Sequence, residues 1–163
     1  MIRIYSDTSV ISCIDAPDTP ERERTTHRFF QLINDNPDEY ELVISPVVMR
    51  ELMATMEPKR LKLITFLETL THTLLSDNPE AERLASSYIS SGILSETHKE
   101  DLQHIAYSVV AACNYVVSWN MKHFVRERTI SGVNAVNVKL GYSSAFITTP
   151  ILFTGELSDV RNG

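Results

Sequence analysis

MIRIYSDTSVIS, residues 1–12, reads as a short apolar strand running into an aspartate-led helix, and the fold turns on that reading. MIRIY (1–5) has the length and apolar content of a buried strand. Asp7, Thr8 and Ser9 are residue types that cap helices, so the plainest role for Asp7 is a cap. A carboxylate at the carboxyl end of a strand has a second role open to it, because ligands of open α/β sheets sit outside that edge.

Four more apolar runs of strand length follow: YELVIS (40–45), HTLLS (72–76), NYVVSW (114–119) and AFITT (145–149). Each is bounded by polar or turn residues, as expected of strands covered on both faces. Helical patterns lie between them. ERERTTHRFFQLIND (21–35) has an apolar patch at Phe29, Phe30, Leu32 and Ile33. SPVVMRELMATM starts with Ser45 as cap and Pro46 at the first helical position, with a predicted buried stripe of Val48, Met49, Leu52, Met53 and Met56. Residues 58–70, 78–92 and 98–113 read as further helices, the last with Leu102, Ile105, Ala106, Val109, Val110 and Cys113 along one face. A weaker helix over 128–142 ends at Gly141. Alternating strands and helices predict a three-layer α/β/α domain over 1–150 with a central parallel sheet, followed by a tail over 151–163.

At 163 residues the chain suits one domain, and 43% hydrophobic with 22% charged residues is ordinary for a soluble protein, so disorder is not indicated. No window has the length of a membrane span, and the N-terminus lacks the ordered sections of a signal peptide, giving the expectation of a cytoplasmic protein. Cys13 and Cys113 read as free thiols in helices, and no Cys/His array has zinc spacing. A formal net charge of −6 argues against a protein that coats nucleic acid. It leaves open a nuclease, whose metal site needs acids.

Asp7 follows the first strand, Glu51 lies near the start of the helix after the second, Asp101 opens the helix before the fourth, and Asn120 follows the fourth. All four are expected at one sheet edge. Taken singly, Glu51 reads as a solvated helix residue, Asp101 as an acid favoured in a first turn, and His104 as a structural histidine. Taken together, three carboxylates repel unless a cation neutralises them, and hard oxygen donors suit magnesium or manganese. Such an ion lowers the pKa of a water and clamps a phosphate oxygen, which is the chemistry of a metal-dependent phosphodiesterase.

DTSVI at Asp7, VVMRELM at Glu51, EDLQHIA at Asp101 and YVVSWNMKHF at Asn120 resemble the ordered motifs of PIN-domain ribonucleases, above all the VapC-type toxins. VNVKLGY and ITTP are similar to that branch's C-terminal pattern, so the resemblance covers roughly 1–150. It implies a PIN-like sheet of about five strands in the order 3-2-1-4-5. It also implies Asp7, Glu51 and Asp101 as metal ligands for Mg2+ or Mn2+, with Asn120 in the catalytic set and Ser9 and Ser118 supporting the site by hydrogen bonds. His104 is similar to a structural residue of the pattern, not a general base. Many family members have an acid at the position of Asn120, which puts a second metal in question. The resemblance further implies an RNA substrate, a cognate antitoxin and a homodimer.

Phosphates beside an acidic site call for local cations. Lys122, Arg126 and Arg128, with His123, are the candidates after Asn120, and Lys59, Arg60 and Lys62 are a second basic segment; each also reads as a solvated helix face. Tyr107 and Trp119 read as buried aromatics. A haloacid-dehalogenase-like phosphatase requires a second Asp where Ser9 stands, and the scattered glycines form no phosphate-binding loop. The alternative function is a catalytically impaired PIN-like module that binds RNA or protein.

Overall fold

The protein is described here over residues 1–155 of a computed structural model. Five strands, β1 (Ile2–Ser6), β2 (Tyr40–Ile44), β3 (His72–Leu74), β4 (Tyr115–Val117) and β5 (Ile147–Thr148), form one sheet in the order β3-β2-β1-β4-β5. Every pairing is parallel. β1 is central, with Tyr5 in register with Val43 on one side and Val116 on the other. Ile4 and Tyr5 are adjacent in the strand and both fully buried. Neighbours along a strand point to opposite faces, so both faces of the sheet are covered, and the architecture is the expected three-layer α/β/α.

The helices are α1 (Thr8–Ser12), α2 (Pro20–Asp35), α3 (Pro46–Ala54), α4 (Lys59–Glu68), α5 (Pro79–Ser90), α6 (Lys99–Val110), α7 (Glu127–Leu140) and α8 (Ile151–Thr154). A 3-10 turn at Glu96–His98 leads into α6. α2, α3 and α5 each begin with proline, whose ring presets the helical φ at a position with no intrahelical partner to lose. α7 stops at Gly141, whose φ of +83° is the left-handed conformation that a Cβ resists.

Parallel strands bring their carboxyl ends to one edge. That edge receives Asp7 from β1, the start of α3 after β2, and Ser118 to Asn120 from β4. α6 returns across the sheet to feed β4, so its first turn, with Asp101, lies there too.

Two expectations need correction. Met53, inside α3, is 55% exposed, and Met56, beyond the helix end at Ala54, is 83% exposed. The buried residues of α3 are Val47, Val48 and Leu52, a face that ends before the predicted methionine stripe does. α6 ends at Val110, and the chain turns through Ala112 at φ 54°, so Cys113 lies beyond the helix and is half-buried rather than a stripe residue. Cys13 is the buried C-cap of α1. The expected tail over 151–163 opens with α8, where Phe153 packs its ring against Phe29 at 5.6 Å and Tyr115 at 5.2 Å between centroids. Residues 156–163 lie outside the described residues.

Candidate functional site

Asp7 performs the cap that its sequence position suggests and more. Its Oδ1 accepts from the Val10 N–H at 3.2 Å, the cap bond of α1, and from the Ser9 hydroxyl at 2.6 Å. Its Oδ2 accepts from the Ser118 hydroxyl at 2.5 Å. The Asp7 N–H donates to Val117 O at 3.2 Å, locking the ends of β1 and β4 together. The carboxylate is 3% exposed. Burial raises its pKa, opposed by the charge of His104, the two serine hydroxyls and the Val10 N–H.

Ser9 and Ser118 also hold the chain after β4. Ser9 Oγ accepts from the Trp119 N–H and Ser118 Oγ from the Asn120 N–H, each at 2.9 Å. The two hydroxyls lie 3.3 Å apart. They connect Asp7 to the backbone that carries Asn120.

Glu51 sits half-buried on α3, where Oε1 accepts from the Thr8 hydroxyl at 3.2 Å and lies 2.5 Å from His104 Nε2. Burial pushes its carboxyl up, but the hydrogen bond and charge of His104, with Thr8, outweigh this and the net displacement is downward. Asp101, half-buried in the first turn of α6, has Oδ2 3.4 Å from Asn120 Nδ2 and 3.8 Å from His98 Nδ1. Burial raises its carboxyl, opposed by the charges of His104 and His98, while Glu51 adds a further upward push. Asn120 Oδ1 accepts from the His123 N–H at 3.1 Å.

His104 is buried beside Glu51, and a protonated ring there would lower the carboxyls of Asp7, Glu51 and Asp101 alike. On the side away from Glu51, Nδ1 is 2.7 Å from the Tyr5 hydroxyl, which is 2.6 Å from Ser45 Oγ. Burial holds the Tyr5 hydroxyl well above its ordinary pKa, so it stays neutral. Ser45 makes no side-chain cap bond to α3 and serves this buried chain instead.

The structure therefore links the predicted residues in three groups: Asp7 with Ser9 and Ser118, Glu51 with Thr8 and His104, and Asp101 with Asn120 and His98. Among the described residues, no group of three or more His, Cys, Asp or Glu side chains has metal-holding spacing. The donor chemistry nonetheless fits a hard cation. Asp7, Glu51 and Asp101 offer carboxylate oxygens of the kind that hard cations take, and burial raises the carboxyls of Asp7 and Asp101.

Tyr5, Thr8 and Ser45 were not foreseen as neighbours of the site, because apolar and capping patterns account for them at the level of sequence. The basic segments separate. Arg60 pairs with Glu57 at 2.9 Å and Lys62 with Asp15 at 3.5 Å, so both have local partners. Lys122 is exposed, and Arg126 donates to its carbonyl at 3.2 Å. Arg128 is exposed on the first turn of α7. Tyr107 and Trp119 are buried, as expected.

No family model matches the sequence, and no curated protein matches it. A solved structure does resemble it in shape: a chain in the crystal structure of VapBC2 from Rickettsia felis bound to a DNA fragment from their promoter. The two share 13% sequence identity with a TM-score of 0.55, over 78% of this chain and 95% of that one. At that identity the likeness is one of fold. The chain has a PIN-like α/β fold, with the sheet order that the sequence motifs implied.

Proposed function

We propose that the protein is a metal-dependent ribonuclease that hydrolyses RNA phosphodiester bonds and acts as the toxin of a type II toxin-antitoxin pair. What supports this reading is that Asp7 follows β1, Glu51 lies on the helix after β2 and Asp101 opens the helix before β4, all at the carboxyl edge of a PIN-like sheet, with Glu51 in contact with His104. Asp7, Glu51 and Asp101 would hold Mg2+ or Mn2+, with Asn120 in the catalytic set. When bound, the ion supplies a water of lowered pKa and a positive charge for the phosphate.

The chain's own residues prepare that step. Ser9 and Ser118 hold both oxygens of Asp7 in place, and His104 with Thr8 holds Glu51 ionised and oriented. Asn120 links Asp101 to the loop after β4. Lys122, Arg126 and Arg128 lie just beyond Asn120 in sequence and are the candidates for RNA phosphates. The fold shared with VapBC2 supports a cognate antitoxin as partner, and we add a homodimer acting on cytoplasmic RNA. No helix among the described residues is long and apolar enough to cross a membrane.

One observation favours a second reading, a PIN-like module impaired in catalysis. Asn120 gives its amide to Asp101 and adds no charge, and the described acids are not already gathered at metal-holding spacing. Incubating purified protein with a panel of RNAs in magnesium or manganese, with and without excess chelator, separates the two. The ribonuclease reading expects cleavage that the chelator abolishes. Cleavage unchanged by the chelator would overturn the metal mechanism, and binding without cleavage across the panel would favour the impaired module.

A further inference from the structure

Beside Asp101 an open groove of about 550 Å3 runs between the 3-10 turn that precedes α6 and the segment that leads into α7. Ile93 and Leu94 give it an apolar wall, His98 and His123 line it, and Arg126 and Arg128 bring two guanidinium groups. The His98 and His123 rings lie 4.0 Å apart between centroids, tilted by 31°, so they stack on each other. Glu96 also borders the groove, leaving the two arginines to set its positive balance. His98 joins this groove to the acidic edge, with Nδ1 3.8 Å from Asp101 Oδ2.

A stacked imidazole pair, an apolar wall and guanidinium groups in one cleft match the parts of a nucleotide. Bases stack on ring faces, and arginine grips phosphate through paired N–H donors. The volume falls within the roughly 300–1,000 Å3 of small-ligand clefts. We infer that this groove is a subsite for one nucleotide, its base against the stacked His98–His123 pair and its phosphate on Arg126 and Arg128, flanking the bond cut at the carboxylates. The inference rests on the ribonuclease reading.

The test is titration of metal-free protein, in excess chelator, with adenosine monophosphate, adenosine and inorganic phosphate, read by calorimetry and by the imidazole NMR signals. The monophosphate should bind more tightly than either fragment, shifting His98 and His123 and leaving His27 and His72 in place. Arg126→Ala with Arg128→Ala should weaken it about tenfold or more, the loss of charge-assisted phosphate bonds. Arg128→Glu, a single change at an exposed side chain, should act in the same direction. Monophosphate binding no tighter than phosphate, or unaltered by both variants, overturns the subsite. The outcomes for the two readings are separable: Asp7→Asn should bind the monophosphate as wild type does while losing RNA cleavage. Cleavage without nucleotide binding refutes the subsite alone, and nucleotide binding without cleavage by the wild type refutes the ribonuclease reading alone.

Discussion

His104 Nε2 lies 2.5 Å from Glu51 Oε1, while the other nitrogen of the same ring faces the Tyr5 hydroxyl. One imidazole thus joins the buried centre of β1 to a carboxylate at the opening of the site. The side chain of His104 is 3% exposed and that of Glu51 38%, so the cost of losing the ring falls mainly on the Tyr5 side, where water cannot replace it.

His104→Ala should therefore lower stability by about 1–3 kcal/mol at neutral pH, the range for leaving buried polar groups unpaired. Urea unfolding across pH measures it. The Glu51 carboxyl is displaced downward in the fold, so its contribution is present above the unfolded carboxylate value and disappears as pH falls through the folded one. The gap between wild type and variant should narrow in acid. A gap that widens there would contradict the assigned contact.

Ser118→Ala removes the 2.5 Å donor to Asp7 Oδ2 and the acceptor of the Asn120 N–H. We expect a loss of about 1–3 kcal/mol in stability and weaker divalent-ion binding, because Asp7 and the Asn120 backbone lose their common anchor. Calorimetric titration with manganese is the measurement, and unaltered affinity would show that Ser118 has no part in positioning the site.

Asn120→Asp exchanges the amide that faces Asp101 Oδ2 at 3.4 Å for a second carboxylate. Like charges at that distance lower metal-free stability and strengthen the attraction for a cation. Divalent-ion affinity should rise in the same titration. Unchanged or weaker affinity would place Asn120 outside the coordination sphere.

The fold was legible where local pattern and final environment agree. Ile4, Leu42 and Val116 sit in apolar runs and end up buried in strands. Strand neighbours depend on tertiary pairing, so the order with β1 at the centre came from motif resemblance rather than periodicity. Met53 and Met56 continued an apolar helical pattern, but Met53 lies on the exposed side of α3 and Met56 lies past its C-cap Thr55, and only the tertiary packing reveals that both face solvent. At the site, Asp7, Glu51 and Asp101 stood out by their position relative to strands. The Tyr5–Ser45–His104 chain did not, because Tyr5 belongs to an apolar strand and Ser45 to a cap, and their hydroxyls meet only across β1 and β2.

Asp7→Asn probes the buried carboxylate without metal. Burial raises the Asp7 pKa, so its ionised form costs stability above the folded value, and this cost fades as pH falls through that value to below the unfolded one. Asn also serves as a cap. The variant should match or exceed wild type in stability at neutral pH, with any advantage vanishing in acid, as thermal melts over a pH series would show. A manganese concentration about 100 times the dissociation constant should stabilise wild type by roughly 2.7 kcal/mol, and the variant should lose most of that gain.

The most direct measurement is the rate of RNA cleavage by wild type and Asp7→Asn side by side, in manganese, on an RNA that wild type cuts. A carboxylate that helps hold the ion predicts loss of cleavage in a variant that remains folded. An Asp7 that only caps α1 predicts full activity, because Asn preserves the cap, and that result would contradict the assignment of Asp7 and the metal-dependent mechanism built on it.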